Sequence, residues 1–181
     1  MQRTLYRIAA ALAALSVSLI SHAQTPPVSL EGNYGLVSSD TAPVSKWGFS
    51  KSRITIKKID DKHLLILLAC EWKREPKAVC SEHYYAQWQE SGLFIQDMNT
   101  DPMRLYYNPS TRTLTWIQRG YDAKASVRRD VYTIDNTELT DPALVRRMKR
   151  EQGNADSKEN LRVFGPPQGY AYTNNRIELQ R

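Results

Sequence analysis

Two cysteines carry the most specific chemistry in this sequence. Cys70 and Cys80 flank a charged segment, residues 73–77, that contains Pro76. Proline lacks a backbone N–H and fixes its own φ, so the chain is predicted to turn here. Folding about Glu75 places Cys70 opposite Cys80 on two antiparallel strands, where opposed Cβ atoms are close enough for a disulfide. We predict this disulfide; the alternative is two unpaired, buried thiols.

Histidine and nearby acidic residues are the remaining candidates for a metal site. His63 lies close to Asp60 and Asp61, and His83 follows twenty positions later. This spacing matches no recognised ligand pattern, and both cysteines are assigned to the disulfide. We therefore expect no metal site, and no motif indicates a cofactor.

Catalytic motifs are also absent from the sequence. It contains neither Gly-x-Ser-x-Gly nor a zincin motif. A glycosidase needs two carboxylates across a cleft, and nothing aligns Glu82, Glu90 and Asp97 in that way. Glu82 shares a strand face with Tyr84 and Trp88, and burial there would raise its pKa. The alternative is that Glu82 lies near the strand end and reaches solvent or a lysine. We expect a non-enzymatic protein, with no catalytic residues.

The two cysteine-bearing strands differ in pattern. Residues 64–69 are apolar at every position, which is typical of a strand buried on both faces, although a buried helix has the same composition. Residues 80–88 alternate, which predicts one buried and one wet face. The outer face of strand 64–69 must therefore be covered by a helix, a loop or another chain.

The spacing of the strands predicts the fold class. Strand patterns recur about every ten residues with short turns between them, as in an antiparallel meander that forms a small barrel or sandwich. Thr140-Asp141-Pro142 begins the one helix, which is predicted to end near Gln152 at Gly153-Asn154. Three closing strands are predicted within residues 161–180. We expect a mainly β protein with one helix in its C-terminal half.

The N-terminus predicts export. Arg3 and Arg7 precede an apolar stretch, and Ser21-His22-Ala23 is a cleavage signal, so residues 1–23 are predicted to be a cleaved secretory signal peptide. Residues 24–29 are predicted to be a linker and residues 30–181 a single β-rich domain. Removing the signal lowers the formal net charge from +6 to +4, too little for a typical nucleic-acid binder. We expect a periplasmic or secreted protein with no transmembrane segment after cleavage.

Two surface patches are candidates for binding another protein. Tyrosine and arginine are common in such patches, and the wet face of residues 80–88 lies next to a basic corner. The alternative for each patch is packing or a solvated surface. The first patch consists of His83, Tyr85, Gln87, Lys73, Arg74 and Lys77. The second patch consists of Arg146, Arg147 and Arg150.

Three functional hypotheses follow. Export, a stapled β domain and exposed Tyr and Arg favour an inhibitor or immunity-type protein that binds another envelope protein. Gly32-x-Tyr34 resembles the Gly-x-Trp opening of lipocalin-like barrels, with Tyr34 where that family has tryptophan. The resemblance implies a barrel that carries a small apolar molecule, although four tryptophans favour a filled interior. The third hypothesis is a hydrolase of envelope polymers.

Overall fold

The structure, a computed structural model, describes residues 25–75, 77–89, 92–95, 103–119 and 126–157. Within these ranges the chain forms one 3-10 helix, eight strands and one α-helix. Their bounds are η1 Val28–Leu30, β1 Gly32–Ala42, β2 Phe49–Lys58, β3 His63–Trp72, β4 Val79–Gln89, β5 Gly92–Ile95, β6 Met103–Asn108, β7 Thr113–Arg119, β8 Val127–Ile134 and α1 Pro142–Ala155.

The strands form a closed antiparallel barrel in which each strand pairs with the next along the chain. Closure comes from β1, which pairs with β2 through Tyr34 and Ile54 and with β8 through Tyr34 and Ile134. Such closure leaves no free sheet edge. The predicted fold class is therefore confirmed, and the choice between barrel and sandwich is settled in favour of the barrel.

Alternation along each strand directs large side chains into the barrel interior. On β3 the inward positions are aliphatic, while β4, β7 and β8 contribute aromatic rings. The buried interior cluster contains Leu30, Tyr34, Phe49, Ile54, Ile56, Leu64, Ile66, Leu68, Cys70, Ala86, Trp88, Leu93, Leu105, Tyr107, Leu114, Trp116 and Tyr132.

Helix α1 covers the outer face of β3. Leu65 and Leu67 point out of the barrel and are buried with Ile59 and Ala155 in a second cluster, against which Met148 packs. This explains why residues 64–69 are apolar at every position: one face meets the interior and the other meets α1 of the same chain.

The helix begins where its sequence predicts. The Asp141 side chain accepts hydrogen bonds from the backbone N–H groups of Ala143 and Leu144, with Pro142 in the first turn. It continues to Ala155, three residues past the predicted end, because Ala155 is buried against the barrel and Gln152 bonds the side chain of Asp156. Within the described residues no helix is both long and apolar enough to cross a membrane.

Strand β1 continues through a polar segment. Ser38 to Ala42 pair with β8 after a bulge between Leu36 and Ser38. The polar side chains are tolerated because Ser39 points inward to Asp130. The predicted strands of residues 161–180 and the signal peptide lie outside the described residues.

Candidate functional site

The cysteine hairpin forms as predicted. Cys70 and Cys80 are direct partners in the register of β3 and β4, with Cα atoms 4.9 Å apart, and they form a disulfide. The described residues contain no free cysteine. The disulfide lies at the end of the barrel where the β3–β4 connection turns.

The outward face of β4, predicted to be wet, lies against helix α1. His83 Nδ1 lies 2.9 Å from Glu151 Oε2, and the Ser81 hydroxyl donates to Glu151 Oε1 at 2.8 Å. The Tyr85 hydroxyl donates to the carbonyl of Ala155 at 2.8 Å. These side chains therefore attach the helix to the barrel, and a role for them in binding a partner stays a prediction.

The other predicted partner-binding residues lie on three elements. Gln87 on β4 accepts a hydrogen bond from Gln89 at 2.8 Å. Lys73, Arg74 and Lys77 are exposed together in the β3–β4 connection. The second patch lies on α1, with Arg146 and Arg150 exposed and Arg147 half-buried. The β3–β4 connection thus keeps its basic residues available to solvent.

Among the described residues, the candidates for metal binding do not assemble into a site, and the catalytic candidates Glu90 and Asp97 lie outside the described residues. His63 Nδ1 lies 2.9 Å from both carboxylate oxygens of Asp60, as a local turn contact. In the part of the chain that the structure describes, no three His, Cys, Asp or Glu side chains group closely enough to hold a metal ion. Glu82 is exposed, as the alternative for this residue predicted.

One end of the barrel, called here the η1 end, is closed by η1. The Tyr34 hydroxyl donates to the Leu30 carbonyl at 2.7 Å, and the Tyr107 hydroxyl donates to the Ser29 carbonyl at 2.9 Å. Arg112 reaches the same carbonyl at 3.4 Å. Burial raises the pKa of Tyr34, so its hydroxyl stays protonated and keeps donating.

The opposite end carries a buried polar group, called here the Arg128 cluster: Ser39, Arg128, Asp130 and the rings of Trp47, Phe49 and Trp72. Arg128 Nε donates to Asp130 Oδ2 at 2.8 Å. Its guanidinium carbon lies 4.2 Å from the ring centre of Phe49, 5.0 Å from that of Trp47 and 5.6 Å from that of Trp72.

Electrostatics explain why this buried ion pair is tolerated. Burial raises the pKa of Asp130, and the Arg128 charge and the Ser39 hydroxyl oppose that rise. Arg128 also donates to Gln118 at 2.6 Å, and rings that face a guanidinium stabilise its charge. The cluster thus holds a satisfied ion pair inside the barrel.

Between the two ends runs an interior row of register partners. Trp88 on β4 is opposite Leu93, which is opposite Leu105, which is opposite Trp116 on β7, which is opposite Asp130 on β8. The ring of Tyr84 meets that of Trp116 edge-on at 5.4 Å. This interior row joins the apolar part of the barrel to the Arg128 cluster.

Two hydrogen-bond donors in the interior row have no acceptor. The indole Nε1 atoms of Trp88 and Trp116 are buried and have no hydrogen-bond partner within the described structure. Trp88 is 8% exposed and Trp116 is 1% exposed. Leaving a buried donor unsatisfied costs about 1–3 kcal/mol, so such groups in a folded protein need an explanation. An acceptor atom of a bound molecule would satisfy them.

The residues of the Arg128 cluster were not predicted as a group from the sequence. Arg128 and Asp130 stand at alternate positions of β8 with Tyr132, a parity that puts two charges on an inward face. That parity was the available signal. Ser39 lies 91 positions from Asp130 and gives no local sign of the contact.

Comparison with known proteins finds no matching family model and no matching curated protein. Solved structures with a similar fold include the siderocalin Ex-FABP, which is described as functioning through dual ligand specificities. Its sequence identity to this chain is 11% and the TM-score is 0.43. The match covers 84% of this chain and 93% of Ex-FABP.

Two further solved structures have a similar fold. A lipocalin whose expression is activated by the myc oncogene has 9% identity, TM-score 0.44, and coverages of 71% and 84%. Lobster apocrustacyanin A1 has 10% identity, TM-score 0.40, and coverages of 73% and 74%. All three TM-scores are below 0.5, so these likenesses do not decide the family or the ligand of this chain.

Proposed function

We propose that this protein is a non-enzymatic carrier that holds a small, largely apolar molecule inside its barrel. The observation that carries the proposal is the pair of buried indole donors, Trp88 and Trp116, which have no acceptor among the described residues. Both belong to the buried interior cluster, together with apolar side chains such as Leu93 and Leu105. The molecule would therefore combine an apolar body with an oxygen that accepts a hydrogen bond.

We favour a carrier over an inhibitor of another envelope protein. The surface first considered for such an inhibitor includes His83 and Tyr85, whose polar atoms bond helix α1. A partner would have to compete with those contacts or use other residues. We retain export to the periplasm or the extracellular medium as part of the proposal, on the basis of the signal-like segment 1–23.

A fluorescence titration tests the carrier proposal. The probe is methyl parinarate, an apolar polyene whose ester carbonyl is an acceptor and whose emission is excited by energy transfer from tryptophan. We expect saturable binding with Kd on the order of 1 μM, which corresponds to about 8 kcal/mol of binding free energy. The proposal would be contradicted if this probe showed no saturable binding and no small molecule from extracts of the native host envelope bound the protein.

Matched variants separate hydrogen bonding from loss of volume. Trp116→Phe keeps an aromatic ring but removes the N–H, and the loss of about 1–1.5 kcal/mol should weaken methyl parinarate about tenfold. Diphenylhexatriene, an apolar probe with no oxygen, should bind both proteins alike. Trp47→Phe, outside the interior row, is the control and should leave both affinities unchanged. An equal effect of Trp116→Phe on both probes would show that the indole donor makes no bond to the ligand.

A further inference from the structure

Two chain connections lie side by side at the barrel end that carries the Arg128 cluster. Residues 43–48 join β1 to β2, and residues 73–78 join β3 to β4. The backbone N–H of Lys73 donates to the Gly48 carbonyl at 2.8 Å, and Lys73 Nζ donates to the Ser39 carbonyl. These contacts hold the two connections as one surface, called here the basic rim.

The basic rim has a strong excess of positive charge. The two connections contain four basic residues, Lys46, Lys73, Arg74 and Lys77, and one acidic residue, Glu75. All five are exposed. Arg74 lies 3.5 Å from Glu75, at an exposed site where such pairing is weak, so it cancels little of the field.

An exposed apolar residue lies in the connection that carries Lys46. Val44 is 96% exposed, and its neighbours Ala42, Pro43, Ser45 and Lys46 are also exposed. Scattered surface apolar groups are ordinary, but this one lies in a connection that also carries the exposed Lys46. An exposed apolar side chain close to a lysine fits the boundary between lipid headgroups and acyl chains.

We propose that the basic rim docks on an anionic phospholipid surface, with Val44 at the level of the headgroups and Lys46, Arg74 and Lys77 on their phosphates. Each basic residue near an anionic membrane adds to the attraction, which salt screens. The charge and exposure of the rim support this docking, which does not require a ligand in the barrel.

Vesicle co-sedimentation tests this docking. The chain beginning at Gln24 is used because the apolar segment 1–23 would bind vesicles by itself. It should bind vesicles of phosphatidylcholine with phosphatidylglycerol at low salt, and release at high salt, but not bind pure phosphatidylcholine. Replacing three cations together, K46Q, R74Q and K77N, should lower partitioning on the order of 100-fold. Asn is used at 77 because Lys77 has a φ of 74°, which Asn tolerates.

A second triple variant is the control. R146Q, K149Q and R150Q remove the same charge from exposed positions of α1 and should leave vesicle binding within about twofold, because long-range effects of net charge are screened. Circular dichroism establishes that both variants are folded. An equal loss in the two variants, no binding by the unmodified protein, or binding to polyglutamate without binding to anionic vesicles would overturn the proposal. The last outcome would favour an acidic protein partner.

Discussion

His83 Nδ1 lies 2.9 Å from Glu151 Oε2 and joins the outer face of β4 to helix α1 across 68 positions of sequence. Glu151 is 6% exposed and also accepts from Ser81 and Asn154. The helix is therefore attached by polar bonds around an apolar contact with Leu65 and Leu67. This attachment keeps the outer face of β3 buried.

Removing this contact should loosen the helix from the barrel. His83→Ala and Glu151→Gln should each lower the free energy of unfolding by about 1–3 kcal/mol, because each leaves a buried polar partner incompletely bonded. Because the residues touch, the double variant should lose less than the sum of the two. Urea unfolding of the four proteins measures the coupling, and strict additivity would show that the pair does not interact.

Acid should weaken the same contact. Burial alone would raise the pKa of Glu151, but the hydrogen bonds of His83, Ser81 and Asn154 outweigh it and hold that pKa below its ordinary value. A carboxyl with a lowered folded pKa stabilises the protein above its unfolded pKa, about 4.3, and this stability is lost as pH falls through the folded pKa.

The difference in unfolding free energy between the unmodified chain and Glu151→Gln isolates the contribution of Glu151. Urea unfolding of the unmodified chain and of Glu151→Gln between pH 7 and about pH 3 should give stability curves that converge as the pH falls below about 4.3. Burial raises the pKa of Asp130, so this residue changes stability with pH in the opposite direction. Because Asp130 is present in both proteins, its contribution cancels in the difference between their stabilities. Parallel curves would contradict the assignment to Glu151.

The Arg128 cluster should be sensitive to one methyl group at Gly48. A Cβ on this residue would lie 2.9 Å from Ser39 Oγ and 3.3 Å from the Ser39 carbonyl. Gly48→Ala should therefore displace Ser39 from Asp130 and cost about 1–3 kcal/mol of stability, as overpacking does.

A second glycine provides the matched control. Gly153 lies within α1 and its Cβ would meet nothing within 4 Å. Gly153→Ala should raise the free energy of unfolding by about 0.5–1 kcal/mol, because alanine has the higher helix propensity. Thermal unfolding of both variants checks the pair. If Gly48→Ala were as stable as Gly153→Ala, the close packing of Gly48 on Ser39 would be refuted.

The disulfide should stabilise the β3–β4 hairpin. Cys70 and Cys80 are ten positions apart, so their bond closes a short loop, and the double variant C70A/C80A should lose about 2–3 kcal/mol. The reductant dithiothreitol should lower the stability of the unmodified protein but not that of the variant. Equal stability of the two proteins without reductant would contradict a stabilising role.

Structural features that depend on a few neighbouring residues could be predicted from the sequence. Pro76 and the facing cysteines placed the hairpin, and Asp141-Pro142 placed the start of the helix, because both signals act over a few residues. Regular strand spacing predicted the meander. Together these gave the fold class and the disulfide.

Contacts between distant segments could not be predicted in the same way. The extension of β1 beyond Val37 depends on pairing with β8, and the burial of the outward face of β4 depends on Glu151. The unsatisfied donor of Trp116 becomes apparent only when the neighbouring strands are in place. Such features depend on register and closure, which a single sequence does not encode locally.

The central claim is that the barrel carries a small molecule, and native mass spectrometry of the protein from its own host tests it most directly. We expect a species heavier than the chain by the mass of a small apolar molecule. Trp116→Phe should retain less of that molecule after purification, because it lacks one of the two interior donors. A chain that carries no added mass, or one whose added mass is that of another polypeptide, would contradict the account.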